Sequence, residues 1–215
     1  MFATPKVSPS EKLVFPATVT SLVGTPTATL WSVASPPQYS GLLSVPGVAG
    51  TPLNLPSLVI NPGTLPPRET LVFRLTASNA AGAASADVTV RVSGAPYGPS
   101  RPGSSGAITV APAFGFGLDT PFSIVASGWQ DTDLPLQYSF SYTILGAAAG
   151  PPVTVASYSP APFATATLPA GLPAANYTLN VTVLVKNAYG AVADPVSVPV
   201  QAGLPPNPNP QPSTP

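Results

Sequence analysis

The sequence predicts an all-β chain of two tandem β-sandwiches, on three observations. Residues 71–92, LVFRLTASNAAGAASADVTVRV, return without a gap at an offset of 108 as residues 179–200, LNVTVLVKNAYGAVADPVSVPV. From Asn79 to Val92, seven of fourteen positions are identical to their counterparts from Asn187 to Val200. Apolar and polar residues alternate with period two in both copies, the pattern of strands with one buried face. Thirty-two prolines and eighteen glycines interrupt the chain every few residues, which leaves almost no room for helix.

The first sandwich is expected over residues 1–92, with its ordered part beginning near Lys12. KLVF, ATVTSLVG and TATLWSVA supply its early strands, with Trp31 at the centre of the third, and SLVI supplies another before the turn Asn61-Pro62-Gly63. The hairpin follows: Leu71, Phe73 and Leu75 alternate with Val72, Arg74 and Thr76, and Val88, Val90 and Val92 line the return. Its connection, Asn79-Ala80-Ala81-Gly82, joins an asparagine that can bond its own backbone to a glycine free to take positive φ. Residues 93–106 concentrate Gly, Pro and Ser and read as a linker.

The second sandwich is expected over residues 107–203. Its strands are AITVA, FSIVASGW, LQYSFSYTI, PVTVASY and FATATL, with the face Tyr138, Phe140, Tyr142 and Ile144 in the core. AFGFG, residues 113–117, is expected as a turn, since it is too short and apolar to cradle phosphate and no lysine follows it. The second hairpin, turning at Asn187-Ala188-Tyr189-Gly190, is expected in the same register as the first. Residues 204–215, LPPNPNPQPSTP, read as a proline-rich polyproline-II tail or linker.

Composition narrows function. Charged residues make up 7% of the chain and the formal charge is zero, so there is no basic field for nucleic acid and no polybasic anchor for anionic lipid. No apolar run is long enough to insert this segment into a bilayer. The N-terminus lacks the continuous apolar stretch of a signal peptide, so an extracellular protein of this sequence would be part of a longer chain. Histidine and cysteine are both absent, which removes imidazole acid–base chemistry, thiolate nucleophiles, disulfides and the usual zinc ligands. No catalytic residue and no cofactor is assigned, and the chain is not read as an enzyme.

Four groups of residues stand out. Asp131 and Asp133, in GWQDTDLP, form a close carboxylate pair. They are read as turn caps, with a calcium site completed by backbone carbonyls as the alternative. Asn176-Tyr177-Thr178 and Asn180-Val181-Thr182 satisfy the N-glycosylation sequon, and alternation puts Asn176 and Asn180 on the strand face opposite Tyr177, Val181 and Val183. Trp31 and Trp129 are read as core plugs rather than ligand platforms. Gly82 and Gly190 are the structural pivots of the two hairpins.

Residues 107–142 carry a resemblance. Val110, Pro112, Gly115, Thr120, Phe122, Gly128-Trp129, Asp131, Asp133, Pro135-Leu136, Tyr138, Phe140 and Tyr142 follow the order and spacing of the receptor-for-egg-jelly (REJ) module. Leu65–Val92 and Ala95-Pro96-Tyr97-Gly98 are similar to the hairpin and Pro-Tyr-Gly segment that precede it in that family. Where family members carry cysteines, this chain has Ala107 or Thr109, and Ala126. The resemblance implies two tandem immunoglobulin- or fibronectin-III-like β-sandwiches in the extracellular region of polycystin-1-like surface proteins, with adhesive, mechanical or channel-associated sensing roles. On this reading the chain is a structural and protein-binding module of a cell-surface or ciliary-coat glycoprotein, whose partners are other extracellular or coat proteins and also glycans. The alternative is a carbohydrate-binding or wall-matrix domain pair in which Tyr97, Tyr158 or Tyr189 stacks on sugars.

Overall fold

A computed structural model describes residues 4–20, 28–99, 103–146 and 150–205. The chain divides into two compact units, one of Met1–Ala95 with Tyr189–Ala191, the other of Pro96–Ala188 with Val192–Pro215. Each unit is a sandwich of two sheets, and the only helical segments among the described residues are three single 3-10 turns, Pro37–Tyr39, Leu42–Ser44 and Pro173–Ala175.

In the first unit, β1 (Lys6–Val7), β6 (Gly82–Val92), β5 (Thr70–Asn79) and β3 (Ala28–Ser35) form one sheet in that spatial order, and β2 (Leu13–Phe15) pairs with β4 (Leu58–Ile60) in the other. Alternation does the folding: Leu71, Phe73 and Leu75 of β5 are buried while Arg74 is exposed. Phe15, from the small sheet, stacks on Trp31 at 5.8 Å and tilts against Phe73 at 5.1 Å, which joins the two layers. Each such fully buried aromatic or aliphatic side chain contributes ~1.5–3 kcal/mol of burial.

The second unit has a five-stranded sheet of order β11 (Val153–Ser159), β10 (Gln137–Ile144), β13 (Thr178–Lys186), β14 (Val196–Gly203) and β8 (Phe114–Phe116). Against it lies a three-stranded sheet of β12 (Phe163–Thr167), β9 (Pro121–Ser127) and β7 (Ala107–Ala111). Phe122, Ile124 and Ala126 point inward from β9, facing a layer made of Leu179, Val181, Val183 and Val185. The chain crosses from one sheet to the other at Pro112-Ala113, where β7 ends and β8 begins.

Several sequence expectations change here. A strand precedes Lys12, because Lys6 and Val7 pair in parallel with Arg91 and Val92. Residues 17–20 form no strand, and the rest of ATVTSLVG lies outside the described residues, as does all of the proline-rich tail beyond residue 205. AFGFG is not a turn: Phe114, Gly115 and Phe116 pair in parallel with Gln201, Ala202 and Gly203. Its glycine answers crowding rather than reversal, since a Cβ on Gly115 would meet Thr120 at 2.6 Å and Phe122 at 2.8 Å. On β10 only Phe140 is buried, while Tyr138, Tyr142 and Ile144 are half-buried, because three strands cannot cover the full width of five. The hairpins also differ in register. Phe73 pairs with Val88, whereas its counterpart Val181 pairs with Val198 and not Val196. The two-residue slip keeps every side chain on its own face, which a one-residue slip would not.

Candidate functional site

The polar residues of the second unit gather where β9 leads into β10 and where β13 ends. Asp131 sits in the first of these connections, half-buried. Its Oδ1 accepts the backbone N–H of Asp133 at 3.1 Å, the local bond by which an aspartate caps its own turn. Its Oδ2 accepts the side-chain amide of Asn187 at 3.0 Å, across 56 residues of sequence. Asn187 is buried, and the next residue, Ala188, donates its N–H to the carbonyl of Asp133 at 3.1 Å. The two connections are therefore bound to each other at two points, a side-chain amide on a carboxylate and a backbone N–H on a carbonyl. Hydrogen bonds to a charged group contribute ~1.5–3 kcal/mol, more than neutral ones, and burial raises the cost of leaving one unmade.

This arrangement suits bracing. Both Asp131 oxygens face N–H donors, and no group of three or more carboxylates, histidines or cysteines able to hold a metal occurs among the described residues. Asp133, the other calcium candidate, is buried. Trp129, just before the brace, is buried, and its indole N–H has no hydrogen-bond partner among the described residues. A Cβ on Gly106 would lie 2.6 Å from that indole, so glycine is what lets the chain pass over the ring. Trp31, by contrast, donates its indole N–H to the Pro56 carbonyl at 3.0 Å. Tyr97, within the expected linker, exchanges two backbone bonds with Gln130, of 3.0 and 2.7 Å.

Sequence reasoning named Asp131 but not its partner. Asn187 had been singled out only as a turn residue shared with Asn79, and nothing local signals a bond spanning 56 residues. The exposed face of the first hairpin carries a second unforeseen contact. The Arg74 guanidinium makes a two-point bond with Asp87, Nε to Oδ1 and Nη2 to Oδ2, both 2.7 Å. The hydrogen bond and the charge of Asp87 hold the guanidinium pKa above its ordinary value, and the bond from Arg74 holds the Asp87 carboxyl below its own. At the position equivalent to Arg74 stands Thr182, which shares a 2.8 Å hydroxyl contact with Ser197.

The aromatic residues proposed to stack on sugars are not equivalent. Tyr97 is half-buried, and the Tyr158 ring already has the Lys186 ammonium 4.1 Å from its centroid. Burial pushes the Tyr158 phenol up. Of the sequon asparagines, Asn180 lies on β13, whereas Asn176 is off the strand, exposed, and in the left-handed region at φ 51°. The face assignment made from alternation therefore fails for Asn176, because Asn176 and Tyr177, at φ 51° and 56°, break the strand geometry and β13 begins only at Thr178.

Fold and site together define a tandem β-sandwich module whose polar groups brace loops. The REJ domain matches residues 3–212, nearly the whole chain, and the protein belongs to that family. No curated protein matches it in sequence. Among solved structures it is similar to a titin fragment at 14% identity, covering 93% of this chain and 62% of that one with a TM-score of 0.44. It is also similar to immunoglobulin domains 1–5 of Sidekick-1, at 14% identity, 93% and 37% coverage and a TM-score of 0.37. A third is a chicken CNTN1 fragment, FN1–FN3, at 14% identity, 93% and 67% coverage and a TM-score of 0.30. The chain spans less than two thirds of the length of the first two. No helix among the described residues is long and apolar enough to cross a membrane.

Proposed function

We propose that this chain is an extracellular structural and protein-binding module of a cell-surface or coat glycoprotein, with an adhesive or mechanosensing role of the polycystin type. The observation that supports this best is the REJ match over residues 3–212, carried on two sandwich units. The chemistry of the chain agrees with it. Only 7% of residues are charged, so partners meet a surface of hydroxyl, amide and apolar groups, and contacts with it depend on shape and hydrogen bonds more than on ionic attraction. The conspicuous polar bonds, Asp131–Asn187 and Arg74–Asp87, tie strands and loops to each other, as suits a load-bearing spacer. The domains are taken as residues 1–92 and 107–203, joined by residues 93–106.

Surface labelling of intact cells tests the proposal. An antibody raised against residues 107–203 should stain cells that make the native protein without permeabilisation, and brief external proteolysis should remove the signal. Staining that appears only after permeabilisation would overturn it.

A further inference from the structure

The chain has two N-glycosylation sequons, only four residues apart, and the fold treats them differently. Asn176 lies at the end of the 3-10 turn Pro173–Ala175, outside any sheet, with φ 51° and ψ 42°. It is exposed, and its carboxamide has no hydrogen-bond partner among the described residues. The backbone around it is pinned. Asn176 donates its N–H to Pro173 at 3.0 Å and Tyr177 donates to Leu172 at 2.9 Å. Ala202 then donates to the Tyr177 carbonyl at 3.0 Å, and Gly171 donates to the Ala202 carbonyl at 2.9 Å. Asparagine tolerates the left-handed region better than most residues, so the turn holds without displacing the side chain from solvent.

Asn180 is placed otherwise. It sits within β13, the middle strand of five, level with Thr143 on one side and Pro199 on the other, and it is half-buried. The hydroxyl of its sequon threonine, Thr182, is engaged across the strands by Ser197 at 2.8 Å, whereas that of Thr178, in the first sequon, donates locally to the Asn176 carbonyl at 3.4 Å. A sugar attached there would have to rise from the centre of a paired sheet face between flanking side chains, and a second one four residues from Asn176 would crowd the first.

We propose that Asn176, and not Asn180, carries an N-linked oligosaccharide. The donor is an oligosaccharide joined to a polyisoprenyl pyrophosphate. A bond forms between Asn176 Nδ2 and the sugar C1 while the C1–oxygen bond to pyrophosphate breaks; the amide loses one proton, and the lipid pyrophosphate leaves with the bonding pair. The sugar then stands at the rim of the second unit, beside the end of β14 where the chain leaves the sheet. The proposal rests on the extracellular reading for its occurrence in the native setting, so its test imposes secretion.

The whole chain is fused to a heterologous secretion signal and produced in a eukaryotic secretory host, and the intact mass is measured before and after enzymatic N-deglycosylation, with peptide mapping. One glycan, on the peptide position of Asn176, is expected. It should be lost in Asn176→Gln and kept in Asn180→Gln. A glycan on Asn180, on both or on neither would overturn the assignment, and wild-type mapping alone decides it if a variant is not secreted. Because entry to the secretory route is forced, failure here leaves the surface-labelling test of the native protein unaffected.

Discussion

The hairpin of residues 70–92 and the hairpin of residues 178–203 share their turn asparagine, their turn glycine and their inward valines, yet they close differently. In the first, Asn79 Oδ1 accepts the N–H of Ala81 at 2.9 Å, Asn79 pairs at once with Gly82, and the return strand runs unbroken to Val92. In the second, Asn187 gives its amide to Asp131 and Ala188 gives its N–H to Asp133, so both residues are tied to another connection. Lys186 then bridges to Val192, Ala193 donates to Val185 at 2.8 Å, and regular pairing resumes only at Val183 with Val196, just past Pro195, which has no N–H to offer. The stretch 16–27, between β2 and β3, contains no carboxylate that could capture Asn79 in the same way. The lesson is that a repeated turn sequence specifies strands and faces but not where pairing begins, which differs where the turn asparagine is tied to another connection.

The largest effects should come from the core positions that the hairpins do not share. Phe73→Ala should cost ~3–5 kcal/mol and its counterpart Val181→Ala ~1.5–3 kcal/mol, by chemical denaturation. Equal losses would mean that the two units pack these positions alike.

Next come the braces. Asp131→Ala strands a buried amide and should destabilise by ~1–3 kcal/mol, whereas Asn79→Ala removes an exposed local bond at ~0.5–1.5 kcal/mol. A double-mutant cycle should show coupling between Asp131 and Asn187 and none between Asp131 and Asn79.

The glycines sharpen the contrast further. A Cβ at Gly82 or Gly190 would meet no atom within 4 Å, so backbone strain dominates the cost of substitution. Valine at either should cost ~1–3 kcal/mol. Asparagine should be tolerated better at Gly190, whose φ of 77° is near the left-handed well, than at Gly82, whose φ of 146° is far from it. Matching melting temperatures for Gly82→Asn and Gly190→Asn would contradict that distinction.

The smallest effect belongs to Arg74–Asp87, an exposed pair. The folded carboxyl is lowered, so its contribution is present above the unfolded carboxylate pKa and is lost as pH falls through the folded value. Asp87→Asn should lower the first unit's melting temperature slightly at neutral pH and leave it unchanged in strong acid. About 1 M salt should shrink the difference. The Thr182–Ser197 contact should show neither dependence.

Much of this fold was legible, because alternation and proline punctuation report burial residue by residue: β5, β9 and β13 follow their apolar positions. What escaped was non-local or too short to alternate. The two residues of β1 carry no period, and the glycines of AFGFG resemble a turn unless Thr120 and Phe122 are known to press on Gly115. Asp131 could be read as a cap from GWQDTDLP, but its bond to Asn187 required the fold. Asn176 escapes the alternation because two consecutive residues, Asn176 and Tyr177, take positive φ that their sequence does not advertise.

The claim that the two copies of the repeated hairpin close in different registers is tested most directly by cross-strand nuclear Overhauser contacts in the intact protein. Phe73 should report Val88 as its partner across the strands, and Val181 should report Val198. Contacts placing Val181 opposite Val196, the position matching the first hairpin, would contradict the account.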